Sequence, residues 1–273
     1  MSRNGDAGQP PRGSSVPSAD EEPEVATVKL PHANDLAALE AAFDRALAVM
    51  KMFYQPIVYA KDKRVFGYEA LMRTSEPDLS NPILVIAAAE RLSSLPRLGR
   101  TLRALMIDSF PADDETRGLL FVNIHAHDLL DRALMSPFSP LARLASRVVL
   151  EITEHASLEI VPDLQFRVAD LRQLGYRFAI DDLGAGHSRA RRLSPFDTDF
   201  VKLDISVVRD CDTHPVKQQF IASIVQLCRE QGIKVIGEGV ETAEEARTLL
   251  ELDCDLLQGY YLARPGPPFP TVE

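Results

Sequence analysis

No apolar run in the 273 residues approaches the roughly 18 that a membrane helix needs. The first residues are polar and lack the apolar core of a signal peptide. Basic residues are in deficit: 30 Lys and Arg face 40 Asp and Glu, for a formal charge of −10. A DNA or RNA polymer is therefore excluded as a partner, because phosphate backbones need a basic face. A small anionic ligand stays open if metal ions carry the positive charge. Cysteine is scarce. Cys211, Cys228 and Cys254 are odd in number and lack metal-ligand spacing, so they read as thiols in a reducing cytosol. Together these absences predict a soluble, cytoplasmic chain without membrane insertion. An apolar fraction of 45% is enough for a sizeable core. The length suits one large barrel or two small domains.

Residues 1–32 are rich in Gly, Pro, Ser and acids and should be disordered, at most a tether. The ordered domain is expected over 33–273. Asn34 can cap a helix in which Leu36, Leu39, Phe43, Leu47 and Met50 follow at helical spacing. Residues 53–60 and 65–72, joined by Lys61-Asp62-Lys63-Arg64, read as two paired strands. Then the chain alternates. Helical pattern fills 82–110 in two pieces broken near Leu95-Pro96, and strand 119–123 follows. More helix is expected between Ala126 and Leu144. Strand 148–152 precedes a helix at 160–174, and strand 178–181 leads to a Gly-containing loop and a short helical stretch. Strand 200–203 precedes a helix at 214–231, with Thr213 as its cap and Pro215 in its first turn. Strand 234–237, a helix at 242–251 and the apolar pair Leu256-Leu257 close the series. Alternation of this kind argues for parallel α/β architecture. A closed barrel leads. A doubly wound open sheet comes second, since no nucleotide-type Gly-rich fingerprint follows the first strand.

The residues that end the apolar runs carry the chemistry. They are Glu69, Asn123, Glu151, the pair Asp181-Asp182, Lys202, Glu238 and Gln258. In a barrel of parallel strands such positions converge on one mouth. Carboxylates so close repel one another unless a cation offsets them. Hard divalent ions, Mg²⁺ or Mn²⁺, match an all-oxygen ligand set. Two of them about 3.5–4 Å apart are the usual device for attack on a phosphodiester, and a nearby lysine can orient the water or neutralise the phosphate. Singly each residue has a plainer reading. A strand-end Glu is commonly ion-paired, Asp-Asp before Gly is turn chemistry, Lys202 can pair across strands, and Gln258 can cap. Recurrence at the same end of successive strands is the signal.

These residues sit in stretches that resemble the EAL-domain family. Tyr54-Gln55-Pro56-Ile57-Val58 and Gly67-Tyr68-Glu69-Ala70-Leu71-Met72-Arg73 resemble its opening, with the Glu-Ala-Leu signature. In order follow Phe121-Val122-Asn123, Leu150-Glu151-Ile152-Thr153-Glu154, Ile180-Asp181-Asp182-Leu183-Gly184-Ala185-Gly186, Val201-Lys202-Leu203-Asp204, Gly237-Glu238-Gly239-Val240-Glu241-Thr242 and Gln258-Gly259-Tyr260. The resemblance spans about 50–266. It implies a TIM-like (β/α)8 barrel with an antiparallel first strand pair, cleaving cyclic di-GMP to linear pGpG with two Mg²⁺ or Mn²⁺ ions per site. By the resemblance, Glu69, Asn123, Glu151 and Asp181 are metal ligands, and Asp182 is the ligand to the second ion. Lys202 holds the nucleophilic water, and Glu238 is a general base or a metal or water ligand. Glu154 and Glu241 order the loop after the Asp-Asp pair, and Gln258 supports a water on the metal. Gln55, Leu71 and Arg73 contact substrate, with Arg73 on a phosphate. A homodimer is also implied; a sensory or regulatory protein partner is expected because the sequence shows no second recognisable domain.

The chain departs from the pattern in three places. Thr74-Ser75-Glu76-Pro77 stands where the family has tryptophan and a longer loop, and this chain has no tryptophan. Residues 183–190 diverge in a loop that, in the family, couples metal binding to the dimer interface. His125 replaces a serine. The divergent loops favour a competing reading, a non-catalytic cyclic di-GMP receptor acting through a protein partner. A scaffold with a vestigial pocket is the third. His125, His127, His155 and His187 read as loop polar groups rather than ligands, with His187 nearest the second metal.

Overall fold

The computed structural model describes residues 29–110, 115–153, 158–184 and 197–272. Eight strands close into one barrel in sequence order: β1 Lys51–Tyr59, β2 Val65–Arg73, β3 Leu119–Asn123, β4 Val148–Thr153, β5 Arg177–Leu183, β6 Phe200–Leu203, β7 Lys234–Gly237 and β8 Leu256–Leu257. β1 runs antiparallel to both neighbours, β2 and β8, while β2 through β8 are mutually parallel. The closed barrel is therefore right and the open sheet is not. Of the segment 1–32, Leu30 packs against the helical cluster described below. Among the described residues no helix is long and apolar enough to cross a membrane.

Side-chain alternation builds two layers inside the barrel. At the end away from the mouth, Ile57, Phe121, Val149, Ala179, Phe200, Ile236 and Leu256 form one buried apolar cluster. Two residues further along β3 to β8 the inward position is polar: Asn123, Glu151, Asp181, Lys202, Glu238 and Gln258. On the reversed strand β1 the polar position, Gln55, comes two residues earlier than Ile57 and lies opposite Glu69. The other faces of the strands, with residues such as Leu120, Val122, Leu150 and Val201, pack under the outer helices. At Gly67 the backbones of β2 and β3 run so close that a Cβ would collide with the Leu119 carbonyl.

The helices are α1 Leu36–Ala48, α2 Pro82–Arg91, α3 Leu95–Ser109, α4 Leu164–Gln173, α5 Ile205–Val208, α6 Pro215–Gln231 and α7 Ala243–Glu251. Leu39, Ala42, Phe43 and Ala46 of α1 pack with Val85, Ala88, Leu95 and Leu98 of α2 and α3 as a satellite core. Four expectations need correcting. The cap of α1 is Asp35, whose carboxylate accepts from Ala38 N, and not Asn34. His214, not Thr213, precedes α6, and its side chain makes no cap bond; its Nδ1 lies 2.8 Å from Asp210 O instead. Between Ala126 and Leu144 the chain makes only 3-10 turns, at Ala126–Leu130 and Leu141–Arg147. Pro137 and Pro140 remove the donors that a continuous helix would use. The helix expected at 160–174 begins only at Leu164, after Pro162 and a left-handed Asp163. The short helix expected after Gly184 falls outside the described residues. The four-residue α5, capped by Asp204, had no sequence expectation.

Candidate active site

Period-two alternation explains most of the set, but not the Asp pair. Neighbours on a strand point to opposite faces, so Asp181 and Asp182 should not both serve one mouth. Asp182 adopts a left-handed φ of 60°, and the β5–β6 register shifts between Ile180 and Leu183. This break turns the second carboxylate inward. Such a backbone is costly for a residue with a Cβ and collects at functional sites. Asp182 N donates to Asp181 Oδ1 at 3.0 Å.

Lys202 Nζ sits at the centre. It lies 2.7 Å from Glu238 Oε1, 2.8 Å from Glu151 Oε1, 3.2 Å from Asp181 Oδ1 and 3.5 Å from Glu69 Oε2. Its side chain is 1% exposed. Burial alone would discharge the ammonium, but Asp181, Glu151, Glu238 and Glu69 outweigh it and hold the pKa well above that of an ordinary lysine. The carboxylates feel the reverse. Burial drives Glu151 well above the usual carboxylate range against the pull of Lys202, and Glu69 and Asp181 add to the rise. Glu238 is raised by the same two causes, although 17% of its side chain stays exposed at the mouth. Asp182 is pushed up to about 6, by burial first and then by Asp181 and Asp204.

Amides complete the ring. Asn123 Nδ2 donates to Glu69 Oε1 at 2.7 Å and to Glu151 Oε2 at 3.2 Å. Gln258 Nε2 donates to Glu69 Oε2 at 2.6 Å and to Gln55 Oε1 at 3.2 Å. Gln55 Nε2 in turn donates to Ala263 O at 3.1 Å. Leu71 and Arg73 lie on the same face of β2 as Glu69, one and two steps nearer the rim. The Arg73 guanidinium lies over the Phe53 ring at 5.8 Å, and its Nη1 donates to Met72 O at 2.8 Å.

Carboxylate oxygens of Glu69, Glu151 and Asp181 lie within 4.8 Å of one another, and so do those of Asp181, Asp182 and Glu238. Asp181 belongs to both groups, as a carboxylate shared by two cations would. Glu151 Oε1 has the Lys202 ammonium at 2.8 Å and no other partner among the described residues. The buried Gln258 Oε1 has no hydrogen-bond donor among the described residues. An orphaned buried acceptor is rare. Together with an all-oxygen donor set it fits hard divalent ions. Rotating the Asn123 amide by half a turn would present its oxygen to the same space; the two ends of an amide differ only in hydrogen-bond assignment.

The EAL domain family model matches residues 37–265. The chain belongs to that family. The cyclic di-GMP phosphodiesterase RocR of Pseudomonas aeruginosa is 32% identical to this domain over 229 residues, covering 79% of this chain and 57% of RocR. The signaling protein YkoW of Bacillus subtilis is 30% identical over 250 residues, covering 89% of this chain and 31% of YkoW. Klebsiella pneumoniae BlrP1, solved as a manganese and cyclic di-GMP complex, superposes with a TM-score of 0.68 at 31% identity, covering 80% of this chain and 56% of that one. The chain spans between 27% and 62% of the length of the first curated relatives it matches.

Within this EAL domain, Gln55, Glu69, Asn123, Glu151, Asp181, Asp182, Lys202, Glu238 and Gln258 do meet in one pocket. Glu241 lies elsewhere. Arg209 clamps it through two 2.5 Å hydrogen bonds and holds its carboxyl below the usual range. Glu154, His155, His187 and the loop 185–190 lie outside the described residues. His125 and His127 stack on each other with ring centroids 5.1 Å apart, and neither belongs to the carboxylate groups. Sequence reasoning passed over Glu245, which is 1% exposed and accepts from Asp210 N, Glu241 N and Thr242 N. The signal was there: Thr242 and Glu245 have capping-box spacing and form that box.

Proposed function

We propose that this domain hydrolyses cyclic di-GMP to linear pGpG, and that it holds two divalent cations in its mouth. The observation that carries this reading is the pair of carboxylate groups sharing Asp181, with Lys202 between them. Glu69, Asn123, Glu151 and Asp181 would hold one ion, and Asp181 and Asp182 the other. A bound pair of Mg²⁺ or Mn²⁺ ions supplies Lewis-acid charge to the phosphodiester and activates a water.

The chain's own residues do the rest. Lys202, fixed by burial, orients the attacking water and offers its N–H groups to the phosphoryl oxygens as negative charge develops there. Glu238, partly open to the mouth, accepts the water's proton. Water oxygen bonds to phosphorus, one ring P–O bond breaks, and the departing ribose oxygen takes up a proton from solvent. Gln55, Leu71 and Arg73 hold the dinucleotide, with the Arg73 fork on a phosphate. Gln258, with one oxygen orphaned, steadies a water near the first ion. Glu154 and Glu241 order the loop after Asp182 in this reading, and self-association and a sensory protein partner belong to it too. A cytosolic setting suits three buried free thiols.

The test is chromatographic. Purified protein with Mg²⁺ or Mn²⁺ should convert cyclic di-GMP to pGpG, and Ca²⁺, which takes a looser coordination shell, should inhibit. Glu69→Ala should lower turnover by about 10³-fold. Binding by calorimetry without product would select the receptor reading instead, and no binding at all would select the scaffold.

A further inference from the structure

Asn123 is the one exposed member of the polar ring. Glu69 and Glu151 hold its Nδ2, and the backbone around it is fixed as well. On one side Ile124 N donates to Glu151 O at 3.0 Å, tying the end of β3 to β4. One residue later His125 N donates to Asp128 Oδ2 at 3.0 Å. That carboxylate is held in turn from outside the barrel. Asp128 Oδ1 accepts from Arg103 Nη1 at 2.6 Å, and Arg103 Nη2 donates to Asp131 Oδ2 at 2.5 Å. Arg100 Nε also reaches Asp131 Oδ2, at 3.2 Å. Arg103, Asp128 and Asp131 are 7%, 7% and 8% exposed.

Helix α3 is adapted to this contact. Gly99 stands in its interior, where glycine is unfavourable. A Cβ there would collide with Asp128 Oδ1 and with Arg103 Nη1. The helix thus gives up propensity to let a carboxylate approach. Buried ion pairs are a poor device for stability alone, because desolvation offsets most of their attraction, whereas they do fix geometry.

We propose that Arg103 and Asp128 are positioning residues for Asn123. The α3 guanidinium locks the Asp128 carboxylate, the carboxylate holds the backbone just past β3, and the Asn123 amide is thereby aimed at the cation. This rests on the metal reading above. Its mechanism is the outer-support logic common to metal sites, where the groups behind a ligand tune affinity.

The experiment measures Mn²⁺ binding directly, by loss of the free-ion electron paramagnetic resonance signal, on the full chain without substrate. Asp128→Ala and Asp131→Ala each take one carboxylate from Arg103, so both should lower the melting temperature. Only Asp128 touches the β3 exit. Asp128→Ala should weaken Mn²⁺ binding by about tenfold, and Asp131→Ala by less than about twofold. Equal changes in the two variants would overturn the proposal, because a purely structural role predicts them. If Asp128→Ala does not fold, Gly99→Ala displaces the same carboxylate with every charge kept; unchanged affinity in that variant also overturns it. Wild-type protein that takes up no Mn²⁺ overturns the metal reading itself, and this inference with it. Normal wild-type binding beside an unshifted Asp128→Ala overturns this inference alone.

Discussion

The two layers inside the barrel differ by two residues along the same strands, yet they do opposite work. Phe121, Val149, Ala179, Phe200 and Ile236 fill one end as an apolar plug. Asn123, Glu151, Asp181, Lys202 and Glu238 line the other with charge. One layer gains free energy by leaving water. The other holds four carboxylates around one ammonium, an arrangement that burial opposes for every member. The lower layer stabilises the barrel, and the upper layer draws on that stability.

The sharpest way to break this comparison is to mutate each layer separately. Phe121 is fully buried and packs edge-to-face on Phe200 at 5.2 Å. Phe121→Ala should cost about 3–5 kcal/mol of stability in a denaturant melt. Below the transition, its turnover per folded molecule should stay near wild type. Glu69→Ala should do the reverse, with little loss of stability and nearly complete loss of turnover. If Phe121→Ala lost turnover in the folded state, the two layers would not be separable.

This division was legible because it follows from a two-residue period and from where each apolar run stops. Glu69, Asn123, Glu151, Lys202 and Glu238 could be found that way without any partner in view. Some of the features that escaped depend on partners distant in sequence. Asp128 meets Arg103 across 25 residues, and nothing local to Asp128 announces it. Glu76, in the divergent stretch after Arg73, is buried against Arg45 of α1, which donates to it at 2.7 Å. The break into 3-10 turns after Ala126 is signalled locally, by Pro137 and Pro140. Asn34 and Asp35 are both good caps, and only the geometry of α1 chooses between them.

Removing the central cation sharpens the comparison further. Lys202→Met keeps the side chain's bulk and strips the charge that offsets Glu69, Glu151, Asp181 and Glu238. Added metal must then supply that charge. The rise in melting temperature on adding Mn²⁺ should be larger in this variant than in wild type. A ligand at about 100 times its dissociation constant contributes about 2.7 kcal/mol, and the variant should exceed the wild-type value by about 1–2 kcal/mol on the same linkage. A smaller shift in the variant would mean that the lysine helps to hold the ions rather than standing in for them.

The smallest effect concerns Asp182, whose left-handed backbone brings a second acid to the mouth. Its carboxyl is pushed up to about 6 by burial and by Asp181 and Asp204, so the site is strained in backbone and in charge together. Glycine accepts this φ freely and carries no carboxylate. Asp182→Gly should therefore raise the stability of the metal-free protein by about 1 kcal/mol while it removes turnover. Asp182→Asn keeps a residue that tolerates left-handed backbone but also removes the charge. It should give the electrostatic part of that gain alone. Thermal melts of the two variants without metal separate the terms: the difference between Gly and Asn reports the backbone, and the difference between Asn and wild type reports the carboxylate. If Asp182→Gly melted below wild type, the bend at β5 would be a conformation that the barrel prefers for its own packing, and the mouth would not be the cause of it.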